Sequence, residues 1–179
     1  MRARFVLLVV VLLAALPGAP QEAPITRDQT RELLRSSLER YGPLSDVNIS
    51  FHQSEKQPYN FVGIMTTGLK NSQELEVVVG VSDKSTISVH VYPHYNSHYI
   101  NVDKARDPSG LMLHLLHMNH DHFFYWGADD DHDVFAGYTF TLESGYPDEA
   151  IRIVLRSIRA NDDYVGELRP YIDGSAAAQ

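Results

Sequence analysis

The chain predicts an α+β domain, an antiparallel sheet flanked by helices, and three observations lead there. Apolar residues repeat with a period of two through the middle of the sequence and with a helical period near both ends. The two clearest alternating segments, ELEVVVGVS (74–82) and TISVHVYP (86–93), are separated by only a few residues, which makes them a hairpin. No linker, repeat or low-complexity tract breaks residues 24–173, so all the segments belong to one layered domain.

The first helix opens at Thr26. Gln29 three residues on completes a capping box, Leu34, Leu38 and Tyr41 form an i, i+4, i+7 stripe, and Gly42-Pro43 supplies the stop. VNISFH (47–52) and YNFVGIMTT (59–67) read as strands. In the hairpin that follows, Leu75, Val77, Val79 and Val81 share one face and Ile87, Val89 and Val91 the matching one, with Asp83-Lys84 at the turn. His90 alternates with Val89 and Val91, so it faces away from the apolar side. His94–His98 is a polar connection, and HYINVD (98–103) is a short strand or edge segment.

A second helix runs from Pro108-Ser109 through Asn119. FFYWGA (123–128) and DVFAGYTFTLE (133–143) form another hairpin around an acidic turn. The last major helix opens at Pro147, with Asp148 and Glu149 in its positive first turn. Its buried stripe is Ile151, Val154, Leu155 and Ile158, and NDDYVGELRPYI extends it or adds a final helix. The order is helix, about four strands, helix, two strands, helix.

Residues 1–23 read as a signal peptide. Arg2 and Arg4 precede an apolar run of 12 residues, Phe5 to Leu16, which Pro17-Gly18 ends. A spanning helix needs roughly 17 to 25 apolar residues, so this run has signal rather than transmembrane length. The expectation is export to the periplasm or outside the cell, with an uncleaved tether as the alternative and no other stable membrane insertion. Residues 174–179 read as a frayed tail. There is no cysteine, which removes disulfides, thiolate ligands and thiol nucleophiles. The net charge of −8, from 15 basic and 23 acidic residues, argues against nucleic-acid binding and anionic membrane surfaces.

HLLHMNHDH (114–122) raises the question of metal. At about 100° per residue with His114 at zero, Leu111, Leu115 and Met118 fall near 60°, 100° and 40°, and Met112 and Leu116 near 160° and 200°. The apolar face then centres near 110°, and His117 (about 300°) and His120 (about 240°) lie opposite it with His114 on a polar face. Each i, i+3 pair could share an ion, but three imidazoles at such steps fan apart, so a solvated face is favoured. A weak zinc or copper site on His114, His117, His120 and His122 is the alternative. Asp129, Asp131 and Asp133 occupy the first calcium-loop positions. Val134 and Phe140 then stand where glycine and glutamate are required, which leaves a solvated turn. No G-x-S-x-G elbow or glycine-rich phosphate loop is present, and Ser82, Ser109 and Ser144 sit in cap or turn contexts, so no catalytic residue and no enzyme is expected.

LLHMNHD, FFYWGADDDHDVFAGYTFTLE, SGYPDEAIRIVLRSI and NDDYVGELRPYI, in that order and spacing, resemble the YbjN-domain family. These bacterial proteins are described as sensory transduction regulators. The resemblance covers about residues 27 to 172. It implies the fold of type III secretion chaperones, ordered α-β-β-β-α-β-β-α, no catalytic residues, and a chaperone-like role in which the protein forms a homodimer or holds a protein or peptide. On that reading the face carrying Phe61 and Met65, or Phe124 and Trp126, is where a partner would dock, against the plainer reading that these side chains pack under helices.

Overall fold

The computed structural model describes residues 25–141 and 149–177. The signal segment, Leu142–Glu143, Ser144 and the Pro147-Asp148 helix start lie outside the described residues, as do the last two residues of the tail; Gly174 to Ala177 are exposed.

Helix α1 spans Arg27–Tyr41 and begins as its capping box dictates. Gln29 N–H donates to Thr26 Oγ1 and Thr26 N–H to Gln29 Oε1, 2.8 Å away. Leu34 and Leu38 are fully buried, and each such side chain contributes about 2 kcal/mol of transfer free energy. The strands are β1 (His52–Gln53), β2 (Asn60–Met65), β3 (Glu74–Val81), β4 (Thr86–Tyr95), β5 (His98–Tyr99), β6 (Tyr125–Ala128) and β7 (Val134–Thr141). The helices after α1 are α2 (Pro108–Met118), α3 (Glu149–Ser157) and α4 (Asn161–Ile172), with single 3-10 turns at Val102–Lys104 and Ile158–Ala160.

All seven strands form one antiparallel sheet in the order β1-β2-β3-β4-β7-β6, with β5 paired to the far end of β4. The α+β class therefore holds. Before α2 there are five strands, against the three of the chaperone-like order, and a fourth helix closes the chain. The β3–β4 hairpin has the expected register: Val77 opposes Val91, Val79 opposes Val89 and Val81 opposes Ile87. Its turn places Ser85 at φ 60°, and Ser82 accepts and donates across it. The polar connection after β4 tightens to Asn96-Ser97, both at positive φ, as a two-residue hairpin of type I′ requires.

Two expectations about individual segments change. Residues 47–51 are not a strand, because Asn48 turns into the left-handed region at φ 57°. Val47 and Ile49 are buried all the same, since this stretch packs along β2. Gly63 accommodates it: a Cβ there would lie 2.4 Å from Ile49 Cγ2. The other change is to α2. Leu111, Leu115 and Met118 are buried, but Met112, Leu113 and Leu116 are 39, 55 and 63% exposed, so the buried face is rotated toward His114. No described helix is long and apolar enough to cross a membrane.

One core joins the helices to a single face of the sheet: Phe61, Met65, Val77, Val79, Val89, Val91, Ala136 and Trp126 all belong to it, with Leu34, Leu115, Val154 and Val165 from the helices. Phe61, Met65, Phe124 and Trp126 are only 2, 0, 3 and 3% exposed. They are core, and the expectation that this face receives a partner is corrected for that reason: the helices already cover it.

Candidate functional site

Strand alternation that buries one face leaves the other with Val62, Ile64, Glu76, Val78, His90, Tyr92, Phe135 and Tyr125. The rings among these residues converge because of the strand order. His90 and Phe135 stand 4.4 Å apart between centroids, Tyr92 and Phe135 5.8 Å, Tyr125 and Phe135 6.0 Å, and Tyr92 and Tyr99 5.9 Å. His94 continues the row, 4.3 Å from Tyr99. Tyr125 lies flat over its register partner Gly137, where an added Cβ would sit 2.4 Å from the ring. Glycine is needed there to seat the ring.

Carboxylates border this aromatic platform. Tyr99 Oη donates to Glu76 Oε2 at 2.7 Å, and His94 Nδ1 stands 2.9 Å from Glu74 Oε1. Asp129, at the start of the β6–β7 turn, is near enough to Tyr92 to raise the phenol's pKa. The turn is closed by Asp129 Oδ1, which accepts from the backbone N–H groups of Asp131 and Asp133. His132 faces Asp103 at 2.7 Å, which raises the imidazole's pKa.

Burial lowers the pKa of His90 despite the nearby Asp129, which keeps the ring neutral at pH 7. Tyr92 and Tyr99 ionise well above the ordinary range. Burial is the larger cause in each, reinforced by Asp129 beside Tyr92 and by the Glu76 hydrogen bond at Tyr99. An unfolded tyrosine loses its proton near pH 10, so above that pH the unfolded chain releases protons that the folded chain keeps. The tyrosines' contribution to stability is full below pH 10 and falls as the pH rises past it. Spectrophotometric titration of the folded protein should find Tyr92 and Tyr99 still un-ionised at about pH 11, and Tyr92→Phe should remove one of these late-titrating groups.

No protein-family model matches the chain, and no curated protein matches it either.

The histidines of the second helix and of the turn after it point to different neighbours. His114 is half-buried, stacked 5.2 Å from Tyr171 of α4 with Nε2 3.5 Å from Glu167. That corrects its place on a solvated face: α4 packs there. His122 lies 3.9 Å from the ring of Tyr164. His117 and His120 are in water, His120 beside Asp121. Among the described residues no three His, Asp or Glu side chains converge in a way that could hold a metal ion.

Sequence reading missed the platform itself. His90 alone was legible as outward-facing. That Tyr92, Tyr99, Phe135 and Tyr125 meet it depends on β7 lying between β4 and β6, a non-local pairing with no local signal.

The edges of the sheet matter as much as its face. Asn119, just past α2, pairs with the β6 backbone: its Nδ2 donates to Trp126 O at 3.1 Å and its Oδ1 accepts from Trp126 N–H. A side-chain amide thus takes the place of a neighbouring strand. At the opposite edge β1 is only two residues long, and the Gln53 side chain, itself held by Arg35, donates to Pro58 O.

Proposed function

We propose that this chain is a non-enzymatic, exported binding module that works through protein–protein contacts, in a chaperone-like or regulatory role, and receives its partner on the open face of the sheet. The observation that carries this reading is the asymmetry of the sheet. Its apolar face is occupied by helices, while among the described residues no helix covers the other, which presents a row of rings with Ile64 46% and Tyr125 41% exposed. Strand addition, the usual way a sheet takes up a peptide, meets obstructed edges at Asn119 and at the short β1. The resemblance to the YbjN-domain family, and through it to type III secretion chaperones, points to the same class of role.

The titratable groups of the face support a binding role over a catalytic one. Tyr99 is committed to Glu76, and Ser82 Oγ is engaged 2.5 Å from Thr86 Oγ1, beyond the end of β3 opposite the His94–Glu74 pair, which favours binding over catalysis. The test is site-specific photocrosslinking in the native host. A photoreactive phenylalanine at Ile64 or Tyr125 should yield the same single adduct, and one at Ser36, exposed on α1, should not. An adduct formed from Ser36 but not from the face sinks the reading.

A further inference from the structure

We propose that the partner presents an extended segment bearing arginine to the aromatic end of this face, with the guanidinium seated over the rings of Phe135, Tyr92 and His90. The inference rests on the open-face reading above and adds the chemistry of what that face receives.

Every lysine and arginine of the described residues lies in a helix, a turn or a connection; none lies in a strand. The charged side chains on the strands are Glu74 and Glu76, and Asp129 joins them at the edge of the ring cluster, directly after β6, where His90 and Tyr92 both feel its charge. Aromatic faces carry the negative side of the ring quadrupole, so rings and carboxylates present the same sign. A guanidinium answers both, stacking on a ring while donating to a carboxylate. The chain uses the same chemistry internally, with Arg27 held 3.6 Å over the ring of Tyr59.

Charge decides against the other occupants. Nucleic acid and anionic lipid would bring phosphate to an acidic, π-rich surface on a chain of net charge −8. A second copy docking by the same face would set Glu76 and Asp129 against their own equivalents or against like-signed rings, since a two-fold contact is self-complementary. A purely apolar strand would desolvate those carboxylates without a partner.

Position and size follow from the sheet. Lys104 shares a cavity of about 320 Å³ with Tyr99, so the cation's seat is away from that end, toward Phe135 and the Asp129 turn. From Tyr125 on β6 to Ile64 on β2 the face crosses four strand spacings, roughly 19 Å, about the length of six extended residues.

The test is fluorescence anisotropy of the full chain with a short labelled peptide that alternates arginine and serine, compared with the same peptide carrying uncharged, near-isosteric citrulline. The arginine peptide should bind and the citrulline peptide should bind about fivefold more weakly or worse. Added salt should weaken the arginine peptide alone. Phe135→Leu, which keeps an apolar side chain and removes the ring, should cost a few-fold in affinity, and Glu76→Gln, which keeps a hydrogen-bonding partner for Tyr99, should do likewise. Equal binding of both peptides, weakened by Phe135→Leu, overturns the arginine assignment and leaves the open-face reading standing. Arginine-dependent binding indifferent to both substitutions overturns the seat, and no binding of either peptide overturns the inference; crosslinking from Ile64 and Tyr125 judges the open face separately.

Discussion

Replacing Asp162 by alanine will destabilise the fold by about 3 kcal/mol, the largest effect expected of any single polar substitution here. The residue is 2% exposed, in the first turn of α4. Its carboxylate collects the backbone N–H groups of three successive residues in the connection before β3: Lys70 at 2.5 Å, Asn71 at 3.1 Å to both oxygens, and Ser72 at 2.7 Å. The positive end of α4 favours the same charge. Asn71 reinforces the join, its amide donating to Asp162 O and its oxygen accepting from Arg169. Alanine leaves those donors without their acceptor and cuts the link between the connection and the helix. Thermal unfolding should shift down by roughly 6 to 12 °C. Hydrogen exchange at the amides of Asn71 and Ser72 should accelerate well beyond that of the β3–β4 hairpin. Asp162→Asn should lie close to alanine, because one of its two acceptors becomes a donor aimed at other donors. An unchanged melting temperature for both substitutions would disprove this account.

Asn119→Ala should cost about 2 kcal/mol and change the protein's association behaviour as well. The stability loss comes from Trp126, whose N–H and C=O lose their only side-chain partner at a residue 3% exposed. The second effect follows from what the amide conceals. With it gone, β6 presents an unpaired edge that another chain can extend. Sedimentation equilibrium should then reveal concentration-dependent self-association beyond that of the parent protein. Asn119→Asp separates the two effects: its oxygens can still accept from Trp126 N–H, but they repel the carbonyl, so stability falls while the added charge discourages a second strand. If Asn119→Ala melts like the parent and gains no tendency to associate, Asn119 does not guard that edge.

How legible the fold was depended on how local its causes were. The β3–β4 hairpin could be read because Leu75 through Val81 and Ile87 through Val91 alternate without interruption, and only one register buries both rows. The capping box at Thr26 was legible for a similar reason, as its geometry is set within four residues. Helix α2 was harder. Leu111, Met112, Leu113, Leu115, Leu116 and Met118 wrap most of its circumference, so the pattern does not select a face, and contact with α4 through His114 and Tyr171 settles the rotation. Val47 and Ile49 mimicked a strand because they alternate in burial beside β2, while Asn48 between them adopts a left-handed backbone. Asp162 gave no sign at all. A carboxylate early in a helix normally stays in water, and only the arrival of residues 70–72, some ninety positions away, turns it into an anchor.

The chain's single tryptophan, Trp126, sits in the core on the strand that Asn119 guards, edge-on to Tyr164. Excited where tyrosine does not absorb, its emission watches the border of the sheet. Loosening of that margin therefore has an optical signal of its own, readable without any added label.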